Sequence, residues 1–190
     1  MYPKNDKGLE CFVEADFAVE CSTNESDDPA SVYSRTGYIN KYRNCLILWA
    51  SKLQSEISLS TTESEYSALA QAIRYIIPMM EHLEQLDKKF NIESKRPSVK
   101  CKLFKENNGA IELAKAPNIR PHTKHIALKY HHFREHIRKG MIVINYIDTL
   151  EQVAYIFTKD LPFPIFNYLR KNIMGCIKQW LILTNEGLLE

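Results

Sequence analysis

The sequence predicts a single α/β domain: a mixed sheet with helices packed on it. Three observations lead there. The opening part of the chain holds one run of strand-like alternation followed by two further strand candidates joined by a polar turn. A long helical pattern then begins near Thr61. Two further apolar runs of strand length follow, each set off by helical stretches, so the order reads three strands, helix, strand, helix pair, strand, helix.

In "LECFVEADFAV", Cys11, Val13, Ala15 and Phe17 alternate with Phe12, Glu14 and Asp16, as in a half-buried strand that carries two acids on one face. "CSTNESDDPAS" has loop composition. It separates the first strand from "SRTGYINKY" and "CLILWASKL", two strands joined by a polar turn, which makes an antiparallel meander of three. The helix from Thr61 is expected to end or restart at Pro78, because proline removes a helical hydrogen bond. "PSVKCKLFKE" reads as the fourth strand and "NNGAIELAKA" as a short helix. Residues 122–139 are expected to be helical, since Ile126, Tyr130, Phe133 and Ile137 share a face. "MIVINYI" is the fifth strand. A last helix is expected from Thr149, where "TLEQ" has the capping-box form. The remainder is expected to form an appended helix and tail, giving a domain over 8–165 and a C-terminal segment over 166–190.

Composition limits the function classes. The 190 residues are 45% hydrophobic, enough for a real core, and the net charge of +2 is nearly balanced. Affinity for nucleic acid must therefore come from local clusters of basic residues. Five scattered cysteines without CxxC spacing read as reduced thiols, not as a disulfide framework or a zinc site. The polar start and the lack of a long apolar run predict an intracellular protein, of cytoplasm or nucleus, with no membrane partner.

Glu63 and Glu65 stand two positions apart in "SLSTTESEYSALAQAI". At about 100° per residue, Ser64, Ser67, Gln71 and Arg74 form a polar stripe, expected to face solvent with Glu63 beside it. Glu65 falls on the opposite side with Ala68, Leu69, Ala72 and Ile76, towards the sheet. A shielded carboxylate needs a metal ion or a basic partner. From this stretch alone, capping is the heavier reading, because Thr62 and Glu65 also fit a capping box.

Further acids stand where strands meet helices: Glu14 within the first strand, Glu106 after the fourth, Glu151 near the last helix. With them, "GLECFVEADFAV", "SRTGY", "LWASKLQSEISLSTTESEYSALAQAI", "ENNGAIELAK", "PHTKHIALKYHHFREHI" and "EQVAYIFTKDL" make the chain resemble, over roughly residues 8 to 165, the ribonuclease H domain of Ty1/copia-type retrotransposon polyproteins. The resemblance implies the ribonuclease H-like fold, a five-stranded mixed sheet with its first three strands antiparallel and helices packed on it. It also implies a site of four carboxylates that holds two magnesium or manganese ions to cut RNA in RNA–DNA hybrids. Carried over by motif, the four positions are Glu14, Glu65, Glu106 and Tyr155, with Glu14, Glu65 and Glu106 as metal ligands. Only Glu65 is the usual residue; aspartate is expected at the other three. Each glutamate displaces its oxygens, and the phenol of Tyr155 brings no negative charge to a cation that prefers carboxylates and water. Asp16, on the face of Glu14, and Glu151, one turn before Tyr155, are candidates to compensate.

The segment "PHTKHIALKYHHFREHIRK" concentrates five of the six histidines with several lysines and arginines. Lys124, His125, Lys129, His132, Arg134 and Arg138 are candidates to meet a phosphate backbone, against the plainer reading of a solvated helix face. His132 and His136 are spaced to chelate zinc, but no HExxH pattern or nearby cysteine supports that. Two functions are expected to compete: a domain with a degenerate site and weak or absent cleavage that keeps a nucleic-acid surface, and an active magnesium-dependent ribonuclease H. The expected partners are an RNA–DNA hybrid or other nucleic acid, and a reverse transcriptase domain, which precedes this one in the family and is absent from this chain.

Overall fold

The structure is a computed structural model that describes residues 8–18, 32–90, 100–116 and 133–174. Among these residues, five strands form one sheet: β1 (Leu9–Asp16), β2 (Arg35–Tyr42), β3 (Cys45–Leu53), β4 (Cys101–Lys105) and β5 (Ile142–Tyr146). Their order is β3-β2-β1-β4-β5. β1, β2 and β3 pair antiparallel, while β4 lies parallel to both β1 and β5. This is the mixed sheet implied by the resemblance. The hairpin between β2 and β3 turns on Arg43 and Asn44, at φ of +50° and +69°. Left-handed residues at both central positions match the twist of the flanking strands, and asparagine tolerates that region.

Among the described residues, four helices accompany the sheet: α1 (Thr61–Lys89), α2 (Asn108–Lys115), α3 (Arg134–Arg138) and α4 (Phe163–Met174). α1 covers one face of β1 through Ala68, Leu69, Ala72, Ile73 and Ile76, which meet Leu9, Cys11, Val13 and Leu103 in the main core. Alanines at the crossing let the helix lie close to the strands. A second core on other elements joins Ile39 of β2, Val153 and Tyr155 of the late turns, and Leu169 and Ile173 of α4. Cys11, Cys45 and Cys101 are free thiols, and among the described residues no helix is long and apolar enough to cross a membrane.

Several expectations are corrected. α1 does not stop at Pro78 but runs through it; the proline is exposed, and so is Arg74, whose carbonyl loses its helical partner, so solvent can serve it. The stripe expected in water is half wrong, because Ser64 and Ser67 are buried while Arg74 is exposed. Thr149 opens no α-helix. Two 3-10 turns, Thr149–Glu151 and Val153–Phe157, take its place. Asp148 caps the first by accepting from Leu150 N at 3.1 Å, and the Gln152 side chain accepts from Ala154 N at 3.4 Å, so glutamine starts a second turn instead of closing a capping box on the first. Of the helix expected over 122–139, Arg134–Arg138 is observed, and the part before Phe133 lies outside the described residues. α4 buries Leu169 and Ile173 in the second core.

Candidate active site

β1 and β4 are neighbours and parallel, and the strands that follow them, β2 and β5, lie on their opposite flanks. The carboxyl ends of strands at such a switch point form a crevice. Glu14, Glu65, Glu106 and Tyr155 all line this crevice, a cleft of about 520 Å³ bordered also by Asp16, Asn107 and Lys159. Glu151, by contrast, is exposed and outside it.

Glu65 reaches the cleft because other residues cap its helix. Ser60 Oγ accepts from Glu63 N at 3.2 Å, and Glu63 accepts from Leu59 N at 2.8 Å. The capping pair is thus Ser60 and Glu63, two residues before the pattern read at Thr62 and Glu65. Glu65 stays only 6% exposed, on the sheet side of α1.

Its partner is a residue that the motifs did not single out. Lys105 continues the inward row of Cys101 and Leu103 on β4 and is fully buried. Its ammonium donates to Val13 O at 3.1 Å, to Glu14 Oε2 at 3.3 Å and to Glu65 Oε2. An ammonium has three donors, and all three are used. Gln152 Nε2 adds a second donor to Val13 O at 3.1 Å, which ties the late turns to the end of β1.

The other acids are also engaged. Glu106 accepts from Thr149 Oγ1 at 2.5 Å and from the phenol of Tyr155. Lys159 lies 4.0 Å above the Tyr155 ring, with its ammonium 3.8 Å from Glu14 Oε1. Burial pushes the Glu14 carboxyl up to about 8; Lys105 opposes that rise and the nearby Glu65 adds to it. Asp16 is raised as well, chiefly by loss of solvent, against Lys159 and Arg35.

A pair of divalent ions does not fit this arrangement. The oxygens of Glu14 and Glu65 that would meet a cation already hold an ammonium. Tyr155 donates a hydrogen to Glu106 where a ligand would have to offer charge. Among the described residues, no group of three or more His, Cys, Asp or Glu side chains is arranged to hold a metal.

The basic candidates divide. Lys124, His125, Lys129 and His132 lie outside the described residues. Arg138 is exposed at the end of α3. Arg134 is corrected: it is 2% exposed, and its guanidinium donates to Leu113 O at 2.8 Å, tying α3 to α2 and keeping the group shielded from a phosphate backbone.

Lys105 was visible in principle. A lysine in phase with Cys101 and Leu103 on a core-facing row requires a buried acid as partner, and Glu14 and Glu65 were already placed inward.

No protein-family model matches the chain. It is 30% identical over 158 residues to the retrovirus-related Pol polyprotein from transposon TNT 1-94 of Nicotiana tabacum, covering 83% of this chain and 11% of the polyprotein. To the corresponding polyprotein from transposon RE2 of Arabidopsis thaliana it is 30% identical over 178 residues, or 92% of this chain and 11% of that one. The chain therefore spans about a tenth of the length of these curated relatives. Among solved structures, LC11-RNase H1 in complex with an RNA/DNA hybrid is similar over 79% of this chain and 93% of its own, at 12% identity and a TM-score of 0.48.

Proposed function

We propose, from the premise that this chain belongs to the Pol polyprotein family of Ty1/copia-type transposons, that it is a ribonuclease H-like domain whose carboxylate site has lost metal-dependent cleavage of RNA in hybrids. The domain keeps a nucleic-acid-binding role through basic residues of the segment that includes Lys124, Lys129 and Arg138. The observation that carries this reading is the buried Lys105 ammonium bonded to both Glu14 and Glu65. Cleavage of this class needs negative charge free to gather cations around a scissile phosphate. Here the two most shielded carboxylates face an internal cation, and Glu106 is held by two hydroxyls.

The test is cleavage of an end-labelled RNA–DNA hybrid in magnesium and in manganese, with a Glu65→Gln variant beside the unaltered chain. Equal, background-level cleavage by the two is expected, while fluorescence anisotropy reports binding of the same hybrid. Metal-dependent cleavage that Glu65→Gln abolishes would establish the alternative, an active ribonuclease H.

A further inference from the structure

The residue that separates this site from a metal centre is Lys105, and its placement is specific. It is wholly shielded, its ammonium is saturated by one carbonyl and two carboxylates from two different elements, and the carboxylates come from β1 and α1. We propose that the Lys105 ammonium occupies the place of a divalent cation: it is a built-in counter-ion that closes the cleft to magnesium and manganese, and its removal turns the cleft into a divalent-cation site.

The chemistry favours exclusion over sharing. A divalent ion binds carboxylate oxygens at about 2.0 to 2.1 Å in the case of magnesium, and it needs lone pairs directed at it. Those of Glu14 and Glu65 point at an ammonium within hydrogen-bonding distance. A second cation there would meet like-charge repulsion in a region of low dielectric, where such repulsion is poorly screened. A lysine is also covalently attached, so its effective concentration at the acids does not depend on the solution. Truncation of Lys105 would leave Glu14 and Glu65 converging on an empty space beside Glu106, with Asp16 on the rim. Two or three carboxylates around room for water is the donor set that a hard divalent cation takes.

The inference rests on the ribonuclease H-like reading only for the expectation of a cation, and its experiment scores cation occupancy, which is separate from hybrid cleavage. Manganese binding is measured by loss of the free-ion electron paramagnetic resonance signal, together with thermal midpoints, for the unaltered chain, Glu65→Gln, Lys105→Ala, and Lys105→Ala combined with Glu65→Gln. The expected result is no saturable manganese binding by the unaltered chain, saturable binding with a raised midpoint for Lys105→Ala, and at least tenfold weaker binding once Glu65 is replaced. Two results overturn the proposal: manganese binding by the unaltered chain that Glu65→Gln removes, or a folded Lys105→Ala that binds none. If Lys105→Ala is unfolded without metal, refolding is read by circular dichroism in manganese and in sodium at equal ionic strength. Recovery in manganese alone supports the proposal, and no recovery overturns it.

Discussion

Glu14 offers the most direct test of the electrostatics, because its burial and its ordinary chemistry are in conflict. The side chain is 2% exposed, and loss of solvent pushes its carboxyl from 4.5 up to about 8 in spite of Lys105. In the unfolded chain it ionises near its ordinary value. The folded state therefore binds the proton more tightly, so the contribution to stability is fully present below about pH 4.5 and is lost as pH rises towards 8. Each step of pH within that window weakens the fold, by a total on the order of a few kcal/mol. Asp16 adds a smaller change of the same sign. Glu14→Gln has nearly the same shape, keeps an oxygen for the Lys105 bond and never ionises. Urea denaturation between about pH 5 and about pH 8 should show the unaltered chain losing stability steadily and the variant losing clearly less, with the variant more stable at the alkaline end by a few kcal/mol. Parallel profiles, or a variant weaker at every pH, would refute the reasoning and leave Glu14 ionised and fully compensated by Lys105.

Gly37 pairs with Glu14 across β1 and β2, and a Cβ there would lie 2.6 Å from Thr158 Cγ2 and 3.1 Å from Ala154 O. Gly37→Ala should cost roughly 1 to 3 kcal/mol in urea melts, partly restored by Thr158→Ser; no rescue would mean that Phe157 Cβ, 3.0 Å away, or the Ala154 carbonyl sets the cost. Arg134→Met should destabilise by about 1 to 3 kcal/mol, because Leu113 O loses its donor, and should leave the salt dependence of hybrid binding unchanged; a reduced salt slope would put Arg134 on the phosphate surface after all. Charge reversal at Lys124, Lys129 and Arg138 should weaken hybrid binding uniformly across sequences, measured by anisotropy at several salt concentrations, and an unchanged affinity would reduce the segment to a solvated face. Glu14→Asp, Glu106→Asp and Tyr155→Asp together should leave cleavage near background while Lys105 remains, and adding Lys105→Ala should raise it by ~100-fold or more; equal rates with and without the lysine would clear the ammonium as the obstacle.

The first strand was legible from its period-two alternation, and the hairpin of β2 and β3 from the polar turn at Arg43 and Asn44. The inward direction of Glu65 was legible from angle alone. What the sequence hid were competitions decided by side chains far apart along it. A capping box can be written at Thr62 and Glu65 or at Ser60 and Glu63, and only the packed helix shows that the earlier pair takes the first turn. The "TLEQ" run lost its helix because Gln152 sends its amide to the Val13 carbonyl of β1 and its oxygen to Ala154 N. Arg134 looked like one cation among many because its acceptor, the Leu113 carbonyl, belongs to a different helix.

The same distance in sequence explains why three departures from the expected carboxylates looked like scattered damage. A ligand lost at random leaves its neighbours with buried, unpaired charge, which is costly. That residue of loss is not seen: among the described residues, no cleft carboxylate oxygen is left buried without a partner. Lys105 joins Glu14 and Glu65, while the Tyr155 phenol and Thr149 hydroxyl close on Glu106. The longer glutamates at 14 and 106 matter here, since a carboxylate carried one methylene farther can reach a side-chain donor that an aspartate would leave at a distance. Lys105 and Tyr155 supply opposite halves of one adjustment, one adding positive charge at the shielded end of the cleft and the other withholding negative charge at its second acid. Every acid of the cleft thus has a donor within the fold, and that is the reason that restoring the aspartates one at a time would leave donors unmatched before it revived any chemistry.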